Sequence, residues 1–311
     1  METVVEKRKA MNTDITETIR ERVRQIEVTP SIPAIFHPLL KLLNSPPDEV
    51  NLDEVIKVAS YDSAIAAQCL RVASSPLFGQ SRPPDSMKAA IISLGLRRVE
   101  TIVLTCCMGQ AFAPSNWVLD PTVFWRHSLG CAMVCRKFSE KIKAHDHEKA
   151  YMAGLLHDIG FIVNSMSFGE QFSKAVAAAC EQQIPLHEAE LQHMGFTHCE
   201  TGRALGEAWN LSGELIQVIA YHHQPENSET GRGLVALVHL CDLLCRVRGL
   251  DYGYYESSKV DLVADPAWEI LQKTHRELQD VDLARFTFEL DEDVRGIYEL
   301  VSTIFGSPRK N

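Results

Sequence analysis

Apolar residues recur every three or four positions along almost the whole chain of 311 residues. One stretch places apolar residues at 56, 58 and 59, and then at 65, 66, 69, 70, 72 and 73. This spacing puts the side chains on one face of an α-helix, whereas a half-buried strand needs strict alternation. The segment 285–290 has a β-type composition, but it is short and precedes the helical pattern of 293–304. The sequence predicts an all-α protein.

Proline and glycine clusters divide the helical pattern into groups. Such clusters break helices and mark loops. The break at 114–121 follows a predicted helix over 97–112 and precedes another that starts near Val123. We therefore expect a charged N-terminal helical extension at 1–25, a first helical lobe at 26–115, and a second helical lobe at 116–311 with a C-terminal helical extension.

The composition excludes several classes of protein. A net charge of −10 argues against a surface for nucleic acids or anionic membranes, both of which require clustered Lys and Arg. No run reaches the ~18 apolar residues that a membrane-spanning helix needs. The nine cysteines include no CxxC pair, and several fall inside apolar helical runs. We expect a cytoplasmic protein with reduced cysteines, of which those at 131, 135, 241 and 245 pack as small apolar residues.

Asp242 is the only charged residue in the otherwise apolar helical run 234–245. A carboxylate buried in such a helix costs several kcal/mol unless it is paired, hydrogen-bonded or bound to a metal. A salt bridge is one explanation, with Arg97, Arg98 or Arg203 as possible partners. A metal site is the other.

A histidine–aspartate doublet, His157-Asp158, ends a second apolar run, 150–156. His127 lies on the inward stripe of the preceding helix, with apolar residues at 131, 134, 135 and 138. A core histidine bonded to a carbonyl would explain His127 alone. The other doublet, His145-Asp146, lies in a polar string and is predicted to start a solvated helix.

Three more histidines occupy predicted helix ends. His198 lies in the first turn of a helix that opens with the capping-box pattern of Thr197 and Glu200. His222 and His223 close the helix that begins near Ser212. Taken singly, each is equally explained as a solvated residue at a helix end.

Taken together, five histidines and two aspartates form a plausible nitrogen and oxygen shell for two transition-metal ions, with one carboxylate able to bridge them. Two such ions lower the pKa of a bridging water and polarise a phosphoryl oxygen. The ligand set requires no thiolate. His239, one turn before Asp242, could support the ligands from outside the shell.

The sequence blocks around these residues resemble the HDOD domain of the HD superfamily. The blocks are FWRHS at 124–128, AGLLHDIG at 153–160, GFTHCETG at 195–202 and YHHQP at 221–225. Segments 32–34, 42–46, 61–64 and 89–99 are similar to the first helical half of that domain. The resemblance covers residues 26 to about 250 and implies a two-lobed all-α fold, whose second lobe is an HD-type metal-dependent phosphohydrolase-like bundle.

The resemblance also implies a role in bacterial signal transduction, because HDOD proteins are relatives of the HD-GYP cyclic-dinucleotide phosphodiesterases. His127, His157, Asp158 and Asp242 match the metal-binding quartet of the superfamily. His198, His222 and His223 match the second-metal ligands of HD-GYP enzymes. We therefore expect two divalent transition-metal ions, iron or manganese first and zinc or nickel as alternatives, with Asp158 bridging them.

Two departures from the family pattern weaken the case for catalysis. Phe161 stands where the family enzymes carry a lysine, and 224–227 reads Gln-Pro-Glu-Asn where HD-GYP enzymes continue towards a Gly-Tyr-Pro block. Val123 stands where a third metal would want a glutamate.

Three hypotheses remain open at this point. The first is a regulatory protein with a metal site and a protein partner. The second is a phosphohydrolase acting on a nucleotide or cyclic dinucleotide, in which Asp158 bridges the metals and a bound hydroxide attacks phosphorus. The third is a helical scaffold with a buried hydrogen-bond network.

Overall fold

The computed structural model describes residues 4–27, 38, 56–57, 63–78, 83–112, 117–144, 146–252 and 260–305. The first-lobe blocks at 32–34 and 42–46 lie outside these ranges, as do residues 61 and 62. Within them all regular structure is helical, which confirms the all-α prediction. The segment 285–290 lies inside the last helix, so its β-type composition does not give a strand.

The helices follow one another in this order: α1 (Val4–Glu27), α2 (Ser63–Ala73), α3 (Met87–Leu94), α4 (Leu96–Ala111), α5 (Pro121–Lys141), α6 (His147–Leu156), α7 (Gly160–Ser167), α8 (Gly169–Gln182), α9 (Leu186–Met194), α10 (His198–Ala208), α11 (Gly213–Tyr221), α12 (Arg232–Val247), α13 (Pro266–Thr274) and α14 (Leu283–Phe305). Short 3₁₀ turns occur at Pro76–Phe78, Pro225–Asn227 and Arg276–Asp280.

Helix α5 is the central element of the second lobe and packs against α6, α12 and α14. Asp120 caps it, because its Oδ1 accepts a hydrogen bond from the main-chain N of Thr122 at 2.7 Å. Pro121 suits the first helical position, so α5 begins two residues before the predicted start at Val123. A Cβ at Gly154 of α6 would lie 2.8 Å from the main-chain oxygen of Cys131, so a glycine there allows α6 to lie close against α5.

Two predicted helix starts, one from a polar string and one from a capping-box pattern, are confirmed. Asp146 caps α6, and its Oδ1 accepts from the main-chain N of Lys149 at 2.8 Å. Thr197 and Glu200 form the capping box that opens α10. The second helix start fixes the position of His198, which follows Thr197 directly.

The two terminal helices pack against the rest of the molecule. The buried residues Ile19, Val23 and Ile26 hold α1 against α10 and α7. Helix α14 contacts α5 as well as α2 and α4, which precede the predicted lobe boundary. Gln68 Nε2 donates to the main-chain oxygen of Ile304 at 2.7 Å. The division at 115/116 stays a prediction, since α14 bridges both sides of it.

None of the helices in the described ranges combines the length and the apolar character that crossing a bilayer requires.

Candidate metal centre

The seven predicted ligand residues meet at one point inside the second lobe. They come from α5, the turn between α6 and α7, the start of α10, the end of α11, and α12. Six are buried, and His223 is partly exposed. The residues are His127, His157, Asp158, His198, His222, His223 and Asp242.

One side of this cluster, which we name the first half, consists of His127, His157 and Asp242 around Asp158 Oδ2. His127 Nε2 lies 3.1 Å from Asp242 Oδ1 and 3.3 Å from His157 Nε2. His157 Nε2 lies 3.1 Å from Asp158 Oδ2. One ligand atom each of His127, His157 and Asp158 lies within 4.8 Å of the others, a spacing that suits a single metal ion.

The opposite side, the second half, consists of His198, His222 and His223 around Asp158 Oδ1. Asp158 Oδ1 is 3.2 Å from the Nε2 atoms of both His198 and His222. His198 Nε2 lies 3.0 Å from His223 Nε2. Because the two oxygens of Asp158 face different sets of rings, this carboxylate has the position of a bridge between two cations.

Four of the rings are anchored through Nδ1. His127 Nδ1 lies 2.6 Å from the Leu250 main-chain oxygen, His157 Nδ1 2.8 Å from that of Gly154, His222 Nδ1 3.1 Å from that of Ile219, and His198 Nδ1 2.6 Å from Glu190 Oε2. These oxygens only accept hydrogen bonds, so each Nδ1 carries a hydrogen and Nε2 is the ring nitrogen left to bind a metal. The four free nitrogens point at one another and at Asp158.

Such a cluster requires positive charge at its centre. Asp158 Oδ1 is buried and makes no hydrogen bond, although it lies among ring nitrogens. Burial raises the pKa of Asp158, but the combined opposite effect of His157, His198 and His222 is larger, so the pKa lies well below its ordinary value. The carboxylate is therefore ionised at neutral pH. Only protons or a metal cation on the Nε2 atoms can compensate these lone pairs and this charge. The donor set fits a divalent transition metal.

Burial lowers the pKa of both histidines at the end of α11. It lowers the pKa of His222 to about 4, despite the opposing effect of Asp158. It lowers the pKa of His223 well below the usual value, and the neighbouring histidines add to this effect. Both rings are therefore neutral at neutral pH, which is the form that binds metals.

Glu190 orients His198 from outside the cluster. Its Oε2 accepts from the main-chain N of His198 at 3.0 Å as well as from the ring. Asn164 Nδ2 donates to the other oxygen at 2.8 Å. A carboxylate behind a ligating histidine fixes its tautomer and strengthens it as a ligand. The sequence reasoning missed Glu190, although it shares the buried face of α9 with Leu186 and Ala189.

His239 lies where a supporting role was predicted. Its Nδ1 is 2.6 Å from the main-chain oxygen of His222, and its Nε2 is 3.1 Å from Asp265 Oδ2. The ring thus connects the end of α11 to the start of α13, which Asp265 caps.

Asp242 has an ion-pair partner that the sequence analysis did not name. Arg246, one turn later on α12, donates through Nε to Oδ1 at 3.0 Å and through a terminal nitrogen to Oδ2 at 2.6 Å. The candidates Arg97, Arg98 and Arg203 were wrong, because they pair with Glu100, Glu148 and Glu207. The i, i+4 spacing would have revealed Arg246. Asp242 also faces His127, so the ion pair and a metal site do not exclude each other.

Two aromatic rings cover the cluster. Tyr252 donates its hydroxyl to Asp158 Oδ2 at 2.6 Å, and its ring centre lies 4.3 Å from that of His127. Phe161 is buried, with its ring centre 4.2 Å from that of His198 and 5.3 Å from that of Tyr252. The position where the family enzymes carry a lysine is therefore filled by an apolar ring. No sequence pattern indicated Tyr252.

The second half borders a cavity of about 530 Å³. Its walls include His187, Cys199, Arg203, Tyr221 and His223. His187 stacks on His223 with ring centres 4.3 Å apart. Cys199, which the sequence analysis did not single out, places its Sγ within 4.8 Å of a ring nitrogen of each of the three histidines of the second half.

The profile of the HDOD domain matches residues 29–225. The chain belongs to the HDOD domain family. Its resemblance to this family, first seen in short motifs, is thereby confirmed.

Solved structures share the fold of this HDOD protein. An HDOD domain protein of unknown function from Geobacter sulfurreducens is 29% identical, with a TM-score of 0.81 over 94% of this chain and 99% of the other. A candidate phosphohydrolase from Shewanella amazonensis SB2B is 18% identical, with a TM-score of 0.69 over 91% and 97%. At that identity the second likeness shows the fold alone.

An uncharacterised protein of Treponema pallidum (strain Nichols) is 23% identical over 242 residues. The match covers 75% of this chain and 45% of that protein, so this chain spans about half the length of its curated relative.

Proposed function

We propose that this HDOD protein is a regulatory component of bacterial signal transduction that holds two divalent transition-metal ions in a buried site. The observation that carries the proposal is the convergence of four anchored imidazoles on Asp158, whose Oδ1 is buried without a hydrogen bond. His127, His157 and Asp242 would hold one ion, and His198, His222 and His223 the other. Asp158 would bridge them. Iron or manganese comes first, with zinc or nickel as alternatives.

A bound metal pair supplies Lewis acidity and a water of lowered pKa. The bridging carboxylate and the rings beside it, however, are buried. Asp158 is 2% exposed and His198 1% exposed. Phe161 provides no positive charge for a phosphate, and Tyr252 covers one oxygen of Asp158. These features support a structural or sensory role for the metals, with output through a protein partner in the cytoplasm.

A phosphohydrolase acting on a nucleotide or cyclic dinucleotide is the second candidate. Two observations favour it. The chain retains all seven family ligands, and the cavity beside His223 has Arg203 in its wall, where a phosphate could bind. In this alternative Asp158 is the bridging catalytic residue.

A hydrolysis assay separates the two candidates. Metal-loaded protein is incubated with cyclic dinucleotides and a simple phosphodiester, beside Asp158→Ala. The regulatory proposal predicts no hydrolysis above the level of Asp158→Ala. The matched control is Asp146→Asn, which alters the other histidine–aspartate doublet and keeps a capping side chain. Hydrolysis that Asp158→Ala abolishes and Asp146→Asn retains would replace the regulatory proposal with the hydrolase.

The partner is tested separately by affinity capture from native lysate. Metal-loaded protein should retain a protein that the Asp158→Ala variant retains less well. Equal capture by both forms, or no capture, would contradict a metal-dependent regulatory output.

A further inference from the structure

The second half of the site contains a thiol in addition to its three imidazoles. Cys199 Sγ and one ring nitrogen each of His198, His222 and His223 all lie within 4.8 Å of one another. Cys199 follows His198 in the first turn of α10, and His223 follows His222 at the end of α11. Adjacent residues on a helix project ~100° apart. Two adjacent pairs from two helix ends can therefore surround one point.

The local fold does not need this thiol. The capping box uses the side chains of Thr197 and Glu200, and Cys199 contributes only its main-chain N, 3.1 Å from Thr197 Oγ1. Cys199 is partly exposed and lines the cavity beside His223. It is not packed in the core as Cys131, Cys135 and five other cysteines are. Its sulfur faces both the histidine cluster and the side from which an ion can enter.

We propose that Cys199 is a sulfur ligand of the second half, which makes this half a three-histidine, one-cysteine site that selects a thiophilic divalent ion such as zinc. The inference rests on the proposed function, that the cluster holds metal. Around tetrahedral zinc, bonds of about 2.0 Å to nitrogen and 2.3 Å to sulfur place two nitrogens about 3.3 Å apart, and a nitrogen and the sulfur about 3.5 Å apart. The contacts of His198 Nε2 with His223 Nε2 at 3.0 Å and with His222 Nε2 at 3.4 Å are close to that spacing.

Sulfur coordination would make the two halves chemically different. Thiolate favours zinc over manganese and magnesium, which prefer oxygen. The first half offers two imidazoles and carboxylates, with no sulfur in its metal-ligand group. Cys199 and the three histidines, with Asp158 Oδ1 beside them, also offer the second ion more protein ligands than the three of catalytic zinc sites, which keep a position for water. Cys199 thus supplies a reason why the metals would be retained without hydrolysis.

Binding requires the thiolate. On binding, the sulfur–hydrogen bond breaks, a sulfur–metal bond forms, and the proton leaves to solvent. Metal uptake by the wild type should therefore release one more proton than uptake by a Cys199→Ser variant.

Cobalt(II), a spectroscopic substitute for zinc, tests the proposal on the full chain after removal of metal by a chelator. We expect a near-ultraviolet sulfur-to-cobalt charge-transfer band in the wild type and its loss in Cys199→Ser. Cys180→Ser is the matched control, because Cys180 is exposed on α8 and absent from the candidate metal groups. Cys199→Ala repeats the test should the serine variant fail to fold.

A competition titration with a chromophoric chelator gives a second readout. Cys199→Ser should lower zinc affinity at least tenfold, since outer partners of ligands already contribute about 10–100-fold and a ligand contributes more. Manganese affinity should change less than twofold. A cobalt spectrum without the sulfur band, or a band that survives in Cys199→Ser, overturns the assignment of Cys199 and leaves the metal site intact. No cobalt uptake at all overturns the proposed function instead.

Discussion

The two halves of the cluster share Asp158 but differ in how they are closed. In the first half, Asp242 accepts hydrogen bonds from Nε and from a terminal nitrogen of Arg246, and His127 lies beside it. The ring of Tyr252 packs against the ring of His127. In the second half, His223 and Cys199 border a cavity of about 530 Å³. The first half is thus enclosed by protein on every side we can describe, whereas the second half is accessible from one side. We infer that ion exchange takes place through the second half.

Loss of the shared carboxylate should affect both halves at once. We expect Asp158→Ala to reduce the metal content from two ions per chain to fewer than one, because each half loses an oxygen ligand and the negative charge that attracts cations. Elemental analysis of the purified variant measures this. Loss of only one ion would show that Asp158 belongs to one half and does not bridge.

Asp242→Asn should destabilise the first half even without metal. Removing one partner of a buried ion pair costs about 3–5 kcal/mol, because Arg246 is left uncompensated. Chemical denaturation of metal-free protein measures the change. Glu207→Gln is the matched control, an exposed i, i+4 pair with Arg203 that contributes about 0.5 kcal/mol or less. Equal effects of both variants would mean that burial of Asp242 has no energetic consequence.

The same variant should remove a pH dependence. Burial raises the pKa of Asp242, but the combined opposite effect of Arg246 and His127 is larger, so the pKa in the folded protein lies well below its unfolded value. The carboxylate therefore stabilises the fold above the unfolded pKa of about 3.9, and this contribution is lost as pH falls below it. The difference between wild type and Asp242→Asn should shrink on acidification from pH 5 to pH 2.

Glu190→Gln should weaken the second half alone. The uncharged amide no longer polarises the His198 ring, which lies 2.6 Å from Glu190 Oε2. We expect the affinity for one ion to fall about 10–100-fold, as for other outer partners of metal ligands. Calorimetric titration should show the other ion unchanged. A fall at both positions would mean that the halves do not bind independently.

The ionised carboxylate of Glu100 on α4 should lower folding stability, whereas that of Asp242 raises it, and the change in stability should be smaller. Its side chain is buried, one carboxylate oxygen has no hydrogen bond, and Arg97 lies 3.2 Å from the other. Burial raises the pKa of Glu100 despite Arg97. The unfolded state therefore ionises first as pH rises, and folding stability decreases from about pH 4.5 upwards.

We expect Glu100→Gln to stabilise the protein by about 1 kcal/mol at pH 7 and by nothing at pH 4, as measured by thermal unfolding. Destabilisation at pH 7 would contradict the direction of the Glu100 shift. It would also weaken the contrast with Asp242, because charged partners determine the direction of the Asp242 pKa shift, whereas burial determines that of Glu100.

The sequence predicted what local patterns control. Spacing of apolar residues gave the helices, the capping residues gave the starts of α6 and α10, and the inward stripe placed His127 in the core. It did not predict contacts between distant segments. Tyr252 reaches Asp158 across 94 residues, and nothing near Tyr252 in the sequence indicates this. Arg246 and Cys199 each have a local signal in the sequence, the i, i+4 spacing from Asp242 for the first and adjacency to His198 for the second.

The metal content of untagged protein, purified without added metal, tests the central claim most directly. Elemental analysis should find about two transition-metal ions per chain, and Asp146→Asn should contain the same number. Fewer than one ion per chain in the wild type would contradict the account, because the converging imidazoles would then be held together by protons alone.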